Sequence, residues 1–129
     1  MNQQKNILVC VTQQKTCERL ILKAASLKEE FEGKCNIYVI HVARDGLKFL
    51  DNPHEGEALQ YLFEISKSVG AGLFVLRSND VISCIADFAK DKAIDCIILG
   101  GSVPARSENS FFTKLRAVID INIDIIAIP

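Results

Sequence analysis

Asn6-Ile-Leu-Val-Cys-Val-Thr12 is an apolar run with no polar alternation. That pattern belongs to a strand covered on both faces, as in a parallel sheet. The residues that follow change period. Cys17, Leu20, Ile21, Ala24, Leu27 and Phe31 recur at steps of three and four, while Lys23, Lys28, Glu29 and Glu30 fall elsewhere. One face of a helix is therefore apolar and the opposite face charged. Gly33 is the expected stop, and Asn36-Ile-Tyr-Val-Ile-His-Val42 reads as a second buried strand. A strand, a helix and a second strand of this kind form a right-handed parallel crossover.

The same alternation continues downstream. A polar connection, Ala43 to Asp51, leads to Asn52-Pro-His-Glu55. There Asn52 is expected to cap a helix, Pro53 to take its first position and Glu55 to complete a capping box. Leu59, Leu62, Phe63, Ile65 and Val69 form its inner side, and Gly70 ends it. Leu73-Phe-Val-Leu76 is a short third strand. Asn79 or Asp80 caps a third helix, with Ile82, Ile85, Ala86 and Ala89 facing inward. Ile94-Asp-Cys-Ile-Ile-Leu99 is a fourth strand, broken by Gly100-Gly101. After a polar loop, a helix is expected from about Asn109 to Val118, and Asp124-Ile-Ile-Ala-Ile-Pro129 is the last strand. Five strands alternating with four helices predict a doubly wound, mostly parallel α/β sheet with helices on both faces, in one domain spanning 1–129.

Composition narrows the function. A net charge of −1 over 129 residues lacks the basic excess of a nucleic-acid binder. No apolar stretch approaches the roughly 20 residues of a membrane-spanning helix. Met1-Asn-Gln-Gln-Lys-Asn6 carries a charge but no apolar core of a signal peptide, so a cytoplasmic location is expected. The five cysteines (Cys10, Cys17, Cys35, Cys84 and Cys96) contain no C-x-x-C pair, and the two histidines are His41 and His54. No metal-ligand spacing results, and the thiols read as free, small apolar groups. Cys17 lies near a helix start, a place that lowers a thiol pKa.

In doubly wound sheets, ligands bind beyond the carboxyl ends of the strands. That points to Thr12-Gln-Gln-Lys15 after strand one and to Gly100-Gly-Ser-Val-Pro-Ala-Arg-Ser-Glu-Asn-Ser110 after strand four. Glycines and hydroxyls ahead of a helix N-terminus suit an anion. A structural reading stands beside it, in which Gly100-Gly101 turns the chain and Ser107 or Asn109 caps the helix. No G-x-x-x-x-G-K-[ST], G-x-G-x-x-G or G-x-S-x-G occurs. Asp95 opens strand four at the end remote from the crevice and reads as structural. His41 ends strand two near the crevice and reads as a packed, hydrogen-bonded residue, and His54 is given no role. No nucleophile, base and orienting group come together, so no enzymatic activity is expected.

Ile85-Ala-Asp-Phe-Ala-Lys-Asp-Lys-Ala-Ile-Asp-Cys-Ile-Ile-Leu-Gly100 resembles the universal stress protein pattern. In that family an I-x-x-x-A helix is followed by an aspartate opening an apolar strand that ends in glycine. Ile85, Ala89, Asp95 and Gly100 fall in that register. Ile7-Leu-Val-Cys-Val11, His41-Val42 and Ile125-Ile-Ala-Ile-Pro129 are similar to the family's first, second and last strands. Val9 to Ile21 looks closest to the stress-protein-like input domain of potassium-sensing histidine kinases.

The resemblance implies a Rossmann-like parallel sheet of order 3-2-1-4-5 and a bacterial, cytoplasmic stress-response module. The family's ATP-binding members carry an acid after strand one, where Thr12 stands here. They carry G-x2-G-x9-G-[ST] after strand four. Gly100 matches the first glycine, Val103 replaces the second, and Asn109-Ser110 looks like a shortened form of the last pair. The implied ligand site is Thr12, Gln13, Val42, Gly100, Gly101, Ser102, Arg106, Asn109 and Ser110, holding ATP, AMP or another nucleotide weakly. A homodimer through Ile123, Ile125, Ile126 and Ile128 and a signalling-protein partner are further expectations, with no nucleic acid and no membrane insertion. The alternative is a ligand-free module acting through dimerisation. A nucleotide hydrolase ranks third, since no magnesium-binding acid or general base is placed at the strand ends.

Overall fold

The computed structural model describes residues 4–12, 14–32, 34–100 and 111–128. The strands are β1 (Lys5–Cys10), β2 (Cys35–Ala43), β3 (Gly72–Arg77), β4 (Cys96–Gly100) and β5 (Asp124–Ile128). The helices between them are α1 (Gln14–Glu30), α2 (Glu55–Ser68), α3 (Val81–Asp91) and α4 (Phe111–Val118), with a 3-10 turn at Phe49–Asp51. All four strand pairs are parallel, in the order β3-β2-β1-β4-β5. This is the expected doubly wound sheet, with β1 at its centre and β3 and β5 at its edges.

Strand alternation divides the core into two layers. Ile7, Val9, Val11, Ile37, Val39 and Ile98 pack with Leu20, Ile21 and Ala24 of α1 and Ala58 and Leu62 of α2. Leu8, Cys10, Ile40, Ile97 and Leu99 pack on the other face with Ile85 and Ala89 of α3 and Leu115 of α4. Both faces of the central strands are thus dry, which is why their sequence shows apolar runs and no alternation. At the N-terminal end of the sheet, Asn6 N–H donates to Asp95 Oδ2 (2.9 Å) and Asp95 N–H to the Asn6 carbonyl (2.8 Å). Asp95 therefore locks β1 to β4, the structural part expected of it.

Several local expectations are corrected. Asn52 and Pro53 lie outside α2, whose N-cap is His54. Asn52 Oδ1 instead accepts the His54 N–H at 2.8 Å, an Asx turn that competes with capping. Glu55 reaches back to the Phe49 N–H at 3.2 Å, outside any capping box. Phe63 and Phe31 are exposed: the inner stripe of α2 runs through Ala58, Leu62 and Ser66, and Phe31 falls in the turn just after α1. Asp80, of the two candidates, caps α3, accepting the Ser83 N–H at 3.1 Å. Gly100 does not break β4 but closes it, paired with Ile128. Gly33, Asn109 and Pro129 lie outside the described residues.

Candidate functional site

The site is built from the strand ends and the loop after β2. That loop leaves β2 at Ala43 and is tied down by the end of β3. Arg77 Nη1 donates to the carbonyls of Arg44 (3.1 Å) and Leu47 (2.9 Å). Its guanidinium lies 4.1 Å over the Phe49 ring and 3.9 Å from Glu55 Oε1. Asn79 Oδ1 accepts the Asp45 N–H and Asn79 Nδ2 donates to Asp45 Oδ2, at 3.0 and 3.1 Å. The exposed ion pairs add little; the carbonyl contacts and the cation–π stack set the loop's course.

His41 holds the loop's far end. Its side chain is 4 % exposed. Nδ1 lies 2.7 Å from the Val11 carbonyl, and Nε2 accepts the Leu50 N–H at 2.8 Å. A carbonyl only accepts, so Nδ1 carries the proton and Nε2 is bare. Burial holds the imidazole pKa below its ordinary 6.5; the Val11 hydrogen bond opposes this and the Arg77 charge adds to it. Leu50 is buried in the left-handed region, at φ 56 and ψ 22, a placement that costs a β-carbon residue about 1–2 kcal/mol. The hydrogen bond to His41 and burial of the leucyl side chain offset that cost.

Between this loop, the start of α3 and the outer face of α4 lies an open cavity of about 1110 Å³. Thr12 and Val42 line it from the strand ends, with Leu47, Phe111 and Val118 as apolar walls. Arg44, Lys48 and Lys114 bring cations, and Asp51 and Asp80 bring acids. The Asp80 carboxyl is held below its usual range, first by the Ser83 backbone N–H it accepts. It is therefore a cap already engaged.

Of the expected site residues, the structure brings Thr12 and Val42 together in this cavity, while Gly100 is not in its wall. Gln13, Gly101, Ser102, Arg106, Asn109 and Ser110 lie outside the described residues. Arg44, Lys48, Asn79 and Lys114 were missed. The strand-end rule covers the loops after β2 and β3 as well as those after β1 and β4, and applying it to all four would have found three of them. Lys114 sits on the exposed side of α4, where sequence offers no signal.

All five cysteines are free. Cys10 is buried and its thiol is pushed up to about 12; Cys96 is half-buried and pushed up to about 11, both by burial first. The Cys17 thiol is raised rather than lowered, because burial outweighs the backbone N–H groups at the helix start. Among the described residues, no group of acids, histidines and cysteines is placed to hold a metal ion. No described helix is long and apolar enough to cross a membrane.

A parallel sheet of this order, wound on both faces with a cavity over its strand ends, defines a Rossmann-like α/β fold. Solved structures of universal stress proteins share it. The universal stress protein UspA from Lactobacillus plantarum superposes with a TM-score of 0.71 at 18 % identity, covering 99 % of this chain and 100 % of that one. A universal stress protein in complex with cAMP gives 0.70 at 9 % identity, covering 97 % and 96 %. The universal stress protein from Archaeoglobus fulgidus in complex with dAMP gives 0.65 at 21 % identity, with both chains fully covered. No protein-family model and no curated protein sequence matches the chain. At these identities the likeness is one of fold.

Proposed function

We propose that this chain is a universal stress protein-like regulatory module that binds a nucleotide or related anionic ligand weakly at the C-terminal ends of its strands. The observation that carries this reading is the cavity itself. Val42, Leu47 and Phe111 offer an apolar wall for a base, and Arg44, Lys48 and Lys114 offer cations for a phosphate in the same space. That two proteins of the same fold hold cAMP and dAMP supports the choice of ligand class. Weak affinity is expected because Thr12 replaces an acid and Val103 replaces a glycine in the family pattern; a β-branched residue obstructs close backbone approach. The loop from Gly100 to Ser110, with Gly101, Ser102, Arg106 and Asn109, is assigned to the phosphates on sequence grounds.

The module acts by binding rather than catalysis. Both ring nitrogens of His41 are already committed, so the one buried histidine is not a free base. A cytoplasmic location, a signalling-protein partner and kinship with kinase input domains belong to the same reading. The second reading, a ligand-free module working through dimerisation, is favoured by the β5 edge, where Ile123, Ile125, Ile126 and Ile128 are only partly covered and Ile121 is 88 % exposed.

The test is a thermal-shift and calorimetric titration with ATP, AMP, cAMP and dAMP. A nucleotide that binds the fold raises the melting temperature by mass action. Lys114→Ala and Arg44→Ala should each weaken binding roughly fivefold, about 1 kcal/mol for a partly exposed cation. Gly101→Val and Ser110→Ala should weaken it further. No response to any nucleotide at millimolar concentration would overturn the proposal in favour of the ligand-free module.

A further inference from the structure

The hydrogen bonds of His41 admit one protonation state. Val11 offers only a carbonyl to Nδ1, and Leu50 offers only an N–H to Nε2. A proton on Nε2 would set two N–H groups against each other across 2.8 Å. The ring thus reads its own charge through the Leu50 amide. We propose that His41 is a positioning residue for the ligand cavity, and that protonation of its Nε2 releases the Leu50 amide, in the Phe49–Asp51 turn, from the strand ends. This rests on the cavity being the ligand site, as proposed above.

Release would be local. Arg77 and Asn79 hold Arg44, Asp45 and Leu47 independently of the imidazole. Within the turn, Phe49 is also held by the Arg77 stack and by Glu55 on its N–H, so the part that His41 alone holds is the Leu50 amide, whose left-handed backbone loses its hydrogen-bond acceptor when Nε2 is protonated. Asp51, Asn52 and Pro53, which follow directly, line the cavity, as does His41. One imidazole therefore links the exit of β1, the end of β2 and the cavity wall.

The charges around the ring come from several elements. Arg77 of β3 lies close enough to disfavour a second positive charge. Glu55 of α2 is engaged by Arg77, Lys48 and the Phe49 N–H. Lys48 and Asp51 of the loop, Asp80 before α3 and Lys114 of α4 line the shared cavity. The sign follows from burial. The folded-state pKa lies below 6.5, so the neutral ring is favoured in the fold. The stabilisation is complete above the unfolded-state value and is lost as pH falls through 6.5 toward the folded-state value.

The experiment uses the full chain with 15N-labelled histidine. Imidazole spectra at pH 7.5 should show His41 as the Nδ1–H tautomer. On acidification, the hydrogen-exchange protection of the Leu50 amide should fall tenfold or more in step with His41 protonation, while the Asp45 amide stays protected. Affinity for cAMP, whose phosphodiester has no ionisation in this range, should fall over the same range. His41→Gln, whose amide donates and accepts without titrating, should keep Leu50 protected and make affinity independent of pH; His54→Gln should behave as wild type. An Nε2–H tautomer, a ring that stays neutral down to acid unfolding, or Leu50 protection that survives protonation would overturn the proposal. If no nucleotide binds at any pH, the ligand assignment fails while the tautomer and exchange data still decide the latch.

Discussion

α2 and α3 end in the same backbone motif with different residues at its left-handed position. In α2, Gly70 N–H donates to the Lys67 carbonyl (3.0 Å) and Ala71 N–H to the Ser66 carbonyl (2.9 Å). In α3, Ala93 N–H donates to Lys90 (3.3 Å) and Ile94 N–H to Ala89 (2.9 Å). Both sets are the paired bonds of a Schellman ending. Gly70 has φ 73 and Ala93 φ 52, so α3 places a β-carbon where α2 has none. Ala93→Gly should therefore stabilise the protein. Relief of the left-handed placement is worth about 1–2 kcal/mol, and the added freedom of glycine in the unfolded chain takes back about 0.5–1 kcal/mol. The net gain centres on about 0.75 kcal/mol, or roughly 2–4 °C in Tm for a chain of this size. Gly70→Ala should lose a similar amount. Its new β-carbon would meet only Lys28 Nζ at 3.6 Å, so the loss is conformational rather than steric. Urea denaturation followed by circular dichroism reads both, the midpoint moving while the slope m stays constant. A lower midpoint for Ala93→Gly, or an unchanged one for Gly70→Ala, would refute the reasoning.

Two further outcomes follow from buried and edge groups. Ser66 is 1 % exposed and its hydroxyl has no hydrogen-bond partner among the described residues, so Ser66→Ala should raise unfolding stability by roughly 1 kcal/mol; a loss in the same urea assay would contradict this. For the proposed homodimer, the direction of each β5 amide matters. Asp124 N–H donates to the Asp95 carbonyl, so by alternation Ile126 and Ile128 face β4, and Ile125 and Ala127 present their N–H groups at the free edge. Ala127→Pro should keep the fold and shift the dimer toward monomer, whereas Ile126→Pro should destabilise the sheet itself. Sedimentation of the wild type as a monomer at micromolar concentration would remove the dimer from consideration.

The strands were legible in the sequence because central strands buried on both faces must be apolar throughout. Asn6–Thr12, Asn36–Val42 and Ile94–Leu99 each fall within a residue or two of β1, β2 and β4. The winding followed from the alternation of periods, and the strand order from the resemblance carried by Ile85, Ala89, Asp95 and Gly100. Helix ends were less legible. Asn52 and Pro53 carry strong start signals, yet the chain uses them in a turn, and α3 ends at Asp91 with Ala93, not a glycine, at the left-handed position that closes it. Capping residues state only a local preference, and tertiary contacts such as Asn6 Nδ2 on the Lys92 and Ala93 carbonyls decide where a helix ends. The cavity was least legible of all. Thr12, Val42, Asp80 and Lys114 are separated by about thirty residues or more at each step and meet only because the sheet brings their strand ends to one side. Periodicity reports which way a side chain faces its own element, so it exposes the core; which distant loops share a wall is a property of the crossovers, and so is the proton on His41, set by a carbonyl and an amide that the sequence places just past β1 and on a turn.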